Sequence, residues 1–389
     1  MAVQHGYGKI AGADALVFAY DTGDTRNSYK GEPTVNYVPS SFNYSLYAYA
    51  SGPVDTTVLN ENSKSITAKR YTITNAVNTA RAAIFPSGLT TGVAYTFSFK
   101  WKYNGTTTTS PSIGVSAAKG YPEGNNNGFT SQTGDTVSIG NGWYLTTYTF
   151  VFSSNPTGAS ILTFGISTGS TSSYVGETFD IYEAQFEIKD HRTPFVNGTR
   201  SATQGLLDLN GGSTPNLTNV SFDSNAQPTW DGTNDTISIP SNSSNNIAGD
   251  ITMELVLNRT AGYSAAVMHK DVQYTLYIYS SGEITYADSS LWSYASFGAH
   301  GNLTAGTYHH LVATKTSGTV IIYLDGTVVV TRSFGSAITQ TNNTLYIGSY
   351  DGSSAFFAGQ IPVAKVYNRA LTANEIRNNY RHYKTRFDI

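Results

Sequence analysis

Short apolar stretches separated by long polar turns run through the whole chain. "LVFAYDTGDTRNSYKG" opens with a buried-strand pattern at Leu16 to Tyr20, then meets Asp21, Gly23, Asp24, Asn27 and Gly31, all strand breakers. In "AYTFSFKWKY" the aromatic residues Tyr95, Phe97, Phe99, Trp101 and Tyr103 occupy alternate positions and share one sheet face. Thr96, Ser98, Lys100 and Lys102 take the other face. "YLTTYTFVF", "ILTFGIS" and "TFDIYEAQFEI" continue the pattern, so residues from about 37 to 195 read as one antiparallel sandwich. A second series of apolar strands runs from "LLDLNGG" to the C-terminus, where "YNRALTANEIRNNY" supplies one amphipathic helix. Thr372 is its predicted N-cap, and Glu375 three residues on completes a capping box. The pattern predicts an all-β protein of two antiparallel β-sandwich (jelly-roll) domains with one short C-terminal helix.

Composition sharpens this picture. In 389 residues there are 37 Gly and 28 Tyr, while charged residues make up only 13 %. A formal charge of −3 without basic runs argues against a nucleic-acid partner. With no cysteine, disulfides and thiolate metal sites are excluded. No stretch approaches the roughly eighteen apolar residues of a membrane span, so no membrane insertion is expected. "MAVQHGYGKIAGADALVFAYD" has no charged n-region followed by a long apolar h-region, so no Sec signal is expected either.

Two resemblances follow from quoted motifs. The "GWY" strand (Gly142, Trp143, Tyr144), the strand "FDIYEAQFE" and the exit "TPFVNGTRS" resemble a jelly-roll module of bacteriophage and bacterial surface proteins. Such modules are similar to carbohydrate-binding modules. Beyond it, "TWDGTNDTISIP", "ITMELVLN", "GTYHHLVATKTSGTVIIYLDGTVV", "LYIGSYDG" and "GQIPVAKVYNRALTANEIRNNY" occur in an order that resembles a laminin-G-like domain of the concanavalin A-like lectin/glucanase superfamily. Tyr308 stands where that family usually has Trp before a His pair.

Domains of this resemblance begin with a strand and a "SY.G" turn and soon reach "DG..D". Here "SYKG" and "WDGTND" are some two hundred residues apart. The expected organisation is therefore an arm over residues 1–12 and a first lectin-like strand within 13–36. An inserted jelly roll over 37–197 and the remainder of the lectin-like domain over 198–389 would follow. The strand at Leu16 to Tyr20 cannot leave its hydrogen-bonding edge bare inside a core, so its partner is expected beyond residue 198.

Candidate chemistry is sparse. Glu183, Gln185 and Glu187 share a face in "EAQFE", but the two glutamates stand about 13 Å apart along a strand, too far for a retaining pair. The chain is expected not to be an enzyme. Its seven histidines show no ligand spacing, and His309 and His310, adjacent on a strand, point to opposite faces. Asp231 and Asp235 in "WDGTND" could offer oxygen ligands to calcium or simply close an Asx turn; no other cofactor is expected. Trp143, Trp292, Tyr294 and Tyr350 are the aromatics chosen as sugar-stacking residues, Trp292 because "SSLWSYASFGAHGN" offers an indole few core partners.

The resemblances imply a non-enzymatic bacteriophage virion protein, assembled in the host cytoplasm. It would decorate the capsid or form a tail appendage or fibre, with weak multivalent adhesion to host cell-surface glycans. Its other partners would be virion proteins and further copies of itself, as a trimer before a dimer. The alternatives are a bacterial polysaccharide-binding adhesin and a glycan depolymerase.

Overall fold

The computed structural model describes residues 13–38, 45–48, 50–74, 79–84, 90–106, 112–119, 129–152, 160–167, 174–223, 225–289, 291–296, 302–335 and 338–389. Among them the chain is all-β, with one α-helix, Ala373–Phe387. No helix of the described residues is long and apolar enough to cross a membrane. Two compact units are present: one takes the chain up to Pro33 together with Arg200–Ile389, the other Thr34–Thr199.

In the discontinuous unit two antiparallel sheets share one core. The eight-stranded sheet runs Ser221–Phe222, Pro228–Asp231, Ala358–Tyr367, Ile251–Arg259, Tyr308–Thr316, Thr319–Leu324, Thr327–Ser333. Its remaining strand, Leu16–Asp21, lies along Ala358–Tyr367, with Leu16 opposite Tyr367 and Asp21 opposite Val363. Pro228–Asp231 occupies the rest of the same edge, Asp231 facing Ala358. At Gly359 (φ 136°) a Cβ would stand 2.1 Å from the Asn258 carbonyl oxygen, so only glycine lets the closing strand approach there.

The seven-stranded sheet is built in the order Asn216–Thr218, Thr236–Ile239, Leu345–Ile347, Ala265–Lys270, Tyr274–Ile278, Ile284–Asp288, Leu291–Ser296. Phe18, Leu255 and Ile361 of the first sheet and Ile237, Met268, Leu276 and Ile347 of the second belong to one buried apolar cluster. An ion pair also joins the sheets: Lys315 Nζ lies 2.6 Å from Asp288 Oδ2, and Tyr286 donates to the same oxygen at 2.9 Å. Both charges are buried and hydrogen-bonded, the condition under which such a pair is tolerated.

The hairpin at Asp325 and Gly326 has φ 50° and 75°, the paired left-handed residues that match strand twist. The helix starts at the capping box of Thr372 and Glu375. It buries Ile376, Asn379, Tyr383 and Phe387, one helical stripe, on the outer face of the eight-stranded sheet, against Val256, Val312, Val363 and Tyr367. Under it lies Glu254, which accepts from Tyr367 Oη at 2.7 Å and Asn379 Nδ2 at 3.1 Å.

The second unit has a six-stranded sheet, Ala50–Leu59, Ser65–Ile73, Thr178–Glu187, Ala94–Tyr103, Trp143–Phe152, Phe129–Gly140, and a four-stranded one, Ser45–Ala48, Thr79–Ile84, Ser160–Ser167, Ser112–Lys119. Tyr95, Phe97, Phe99 and Trp101 are buried with Phe179, Ile181 and Phe186, as their alternation requires. Where the segment enters and leaves, Asn36 N donates to Gly198 O at 2.7 Å, and the Asn36 side chain bonds Ala184, Val196, Val38 and Phe186 backbone groups. Close ends are what lets a segment be inserted into another fold at little entropic cost.

The face shared by Glu183, Gln185 and Glu187 is interrupted by a bulge. Register shifts between Tyr182 and Gln185, and Glu183 takes a left-handed φ of 50°. Its carboxylate pairs with Lys100 at 2.8 Å. Glu187 is instead buried, its oxygens accepting from Gln185 Nε2, Thr193 N, Thr193 Oγ1 and Thr34 Oγ1 at 2.7–2.9 Å.

Candidate functional site

Of the aromatic residues expected to stack on sugars, Trp143 has to be corrected. It points away from the large core of the second unit, yet it is 0 % exposed. The hairpin of Ala50–Leu59 and Ser65–Ile73 supplies a second small core in which Trp143 packs with Ala68, Tyr182, Val58 and Ile66. Its Nε1 donates to the Leu59 carbonyl at 2.9 Å and its ring meets Tyr182 edge-on at 4.8 Å. No face of that indole is left for a ligand. Trp292 and Tyr294 lie on Leu291–Ser296, whose side chains are outside the described residues.

Tyr350 is half-exposed, and it belongs to a larger arrangement on the outer face of the seven-stranded sheet. Strand register sets Ser238, Tyr346, His269, Thr275 and Ala287 side by side across five strands. Their neighbours along each strand, such as Ile347, Met268, Leu276 and Tyr286, face the core. Tyr277 lies two residues from Thr275 on the same face, its ring 5.3 Å from Tyr279. Tyr346, Tyr277 and Tyr279 are all half-exposed.

Tyr350 reaches this row from the following loop. Its ring stacks on His269 with centroids 3.8 Å apart and planes 24° from parallel. The loop is held closed by its own polar groups. Tyr350 N donates to Ser354 O at 3.0 Å, and Asp351 Oδ1 accepts from Ser353 N, Ser353 Oγ and Ser354 Oγ at 2.8–2.9 Å. Buried Ser349 anchors the loop to Thr236 through a 2.6 Å hydroxyl contact. Gly352 (φ 78°) passes over Tyr346, where a Cβ would lie 3.0 Å from the ring.

His269 has no ligand spacing in the sequence. It is fully buried, with Nδ1 2.6 Å from Thr275 Oγ1. Among the described residues Nε2 has no hydrogen-bond partner, and it lies 3.9 Å from Asp271 Oδ1. Burial pushes the imidazole down to about 4, against the opposing pull of Asp271 and Asp351. The ring is therefore neutral at pH 7. Burial of Asp351 is slight and acts upward, but the hydrogen bonds from Ser353 and Ser354 hold its carboxyl below the usual range. His269 lies on the strand that ends at Lys270 and Asp271 in the turn after it, and no sequence signal marks the contact of this ring with Tyr350.

Asp231 and Asp235 form a turn. Asp231 N donates to Asp235 Oδ2 at 2.7 Å and Thr233 N to Asp231 Oδ1 at 2.7 Å. Asp235 is buried, and that burial pushes its carboxyl up to about 6, with Asp231 nearby adding repulsion. Among the described residues no group of three His, Cys, Asp or Glu is placed to hold a metal ion. His309 pairs with Asp325 at 2.9 Å, while His310 faces Glu254 beneath the helix.

A two-sheet antiparallel sandwich is an architecture that lectin-like domains share with other β-sandwich families. Residues 231–377, under half of the chain, match the family model of the concanavalin A-like lectin/glucanases superfamily, so the chain carries a domain of that type. No curated protein matches. Among solved structures, the Trypanosoma rangeli sialidase is 14 % identical with a TM-score of 0.37, covering 45 % of this chain and 30 % of its own. The botulinum neurotoxin serotype G binding domain is 14 % identical with a TM-score of 0.38, covering 47 % and 49 %. The binding domain of Paraclostridial mosquitocidal protein 1 is 15 % identical with a TM-score of 0.36, covering 46 % and 49 %. The chain thus spans less than two thirds of each of these.

Proposed function

We propose that this chain is a non-enzymatic glycan-binding protein whose site is the outer face of the seven-stranded sheet around Tyr350. The observation that carries the reading is the Tyr350 ring, half-exposed and fixed by stacking on His269. A pre-positioned aromatic face gives a sugar ring apolar contact at little ordering cost. Tyr346 and Tyr277 extend the surface, and hydroxyl and carboxylate groups beside them can bond sugar hydroxyls. The lectin/glucanase family match supports the same reading. The setting we propose is a bacteriophage virion, as capsid decoration or tail appendage in a homo-oligomer, where many weak sites act together on host glycans. That setting rests on the sequence resemblance.

Tyr350→Ala tests the site. Loss of a central stacking contact should weaken adsorption to host cells or arrayed glycans by about 1–3 kcal/mol. Unchanged adsorption by a folded variant would remove this face from the function. Release of reducing sugar from host polysaccharide would overturn the non-enzymatic part. A monomer by light scattering, with virions lacking the protein, would overturn the setting.

A further inference from the structure

Among the described residues, the charges that act on the His269 ring beneath Tyr350 are those of Asp271 and Asp351. Asp351 follows Tyr350 directly, exposed and locked by the serines of its own loop. Asp271 stands 3.9 Å from the His269 ring that Tyr350 covers, with its carboxylate half in solvent. Lys270 is the cation nearest in sequence to this pair, and strand alternation turns it the other way. Its ammonium is buried on the core side, held by Ser241 Oγ at 3.2 Å and by the carbonyl and side-chain oxygens of Asn245 at 3.0 and 2.9 Å. His269 is uncharged at neutral pH, so it does not offset the carboxylates. Its unpartnered Nε2 is buried and turned toward Asp271. That buried nitrogen is aimed at the Asp271 carboxylate, and of the two groups it is the carboxylate that a ligand can reach.

We infer that this face selects sugars bearing a free amine over neutral ones and rejects sugars bearing carboxylate or sulfate, with Asp271 and Asp351 as the specificity-determining residues. The inference rests on the glycan-binding reading above and adds the class of glycan to it. An ammonium on a ring stacked over Tyr350 would meet two carboxylates and no competing cation from Lys270. An acidic sugar would meet the same two charges as repulsion, unscreened at low salt.

The test uses the full chain and three probes: a glucosamine oligomer, its fully N-acetylated counterpart of equal length, and a sialylated oligosaccharide. At low salt the glucosamine oligomer should bind about fivefold or more tighter than the N-acetylated one, the scale of partly exposed ion pairs. The sialylated probe should bind weakest, and raising the salt should compress the order. Asp271→Asn with Asp351→Asn should bring the glucosamine oligomer to the level of its N-acetylated counterpart. Should the double variant lose its thermal transition, Asp271→Asn alone, at a half-exposed position, should still narrow the ratio. Equal or tighter binding of the sialylated probe, or a preference that survives the substitutions, would overturn the inference while leaving glycan binding intact. No binding of any probe by the wild type, with no loss of adsorption in Tyr350→Ala, would remove both.

Discussion

Glu254 Oε1 lies 2.9 Å from His310 Nε2, and neither side chain has exposed surface. The other carboxylate oxygen takes the Tyr367 hydroxyl and the Asn379 amide, and the Lys365 ammonium stands 3.6 Å away. Strand, strand and helix thus converge on one carboxylate. Burial acts to raise its pKa, but Lys365, His310 and Tyr367 outweigh it and hold the group at about 2.

Glu254→Gln should therefore be strongly destabilising, because it leaves the buried Lys365 without its counter-charge. We expect about 3–5 kcal/mol, read from urea unfolding of the full chain. The depressed pKa has a matching pH signature. The contribution of Glu254 is complete above about pH 4.5 and is lost as pH falls toward 2. A loss below about 1 kcal/mol would mean that the carboxylate does not hold the helix.

His269 adds a second acid-sensitive window, at higher pH and of the same sign. Its folded pKa of about 4 lies below the unfolded value near 6.5, so the unfolded chain takes up the proton first. Stability should be complete above about pH 6.5 and fall by roughly 3 kcal/mol on acidification to pH 4. His269→Gln, which cannot titrate, should lose that part of the acid limb. Parallel midpoint-versus-pH curves for the two proteins would contradict the burial of a neutral ring.

Trp143→Ala should cost about 3–5 kcal/mol of stability in the second unit, since it empties the small core under the hairpin. Glycan adsorption should not change. Calorimetry beside an adsorption assay separates this from a binding role, for which adsorption would fall while the melt stayed in place.

Expressed alone, residues 34–199 should fold, because Asn36 and Gly198 join the two ends within the unit itself. A circular-dichroism spectrum of a strand-rich protein with a cooperative melt is the expected outcome. A disordered spectrum would mean that the segment depends on the rest of the chain.

Periodicity made the regular parts readable. The alternating aromatics of "AYTFSFKWKY" lie in the core, the Asp325–Gly326 turn closes a hairpin, and Thr372 with Glu375 caps the helix. These depend on neighbours in sequence. Trp143 misled for a physical reason: a strand has two faces, and the hairpin that covers the second comes from far along the chain. The bulge at Glu183 likewise defeats a count by twos. Tyr350 could be picked as an aromatic in a turn, but its stacking on His269 is set by the loop from Ser349 to Ser354 and by strand register. Neither residue type nor spacing encodes that meeting.

The strand Leu16–Asp21 has one more consequence, which concerns the ribosome. Tyr20 donates to the carbonyl of Ile361 at 2.8 Å, across 341 residues of sequence. At about 5–20 residues per second, that partner is made some 20–70 s after the strand. During that interval an apolar strand with a bare edge is tethered to the growing chain, while the Thr34–Thr199 unit is finished and free to fold. Its first breaker residues, Asp21, Gly23 and Asp24, stand directly behind the apolar run, the position of gatekeepers that limit pairing with the wrong edge. Protease protection of stalled nascent chains should accordingly reach residues 34–199 first and Leu16–Asp21 only after residue 367 has left the exit tunnel.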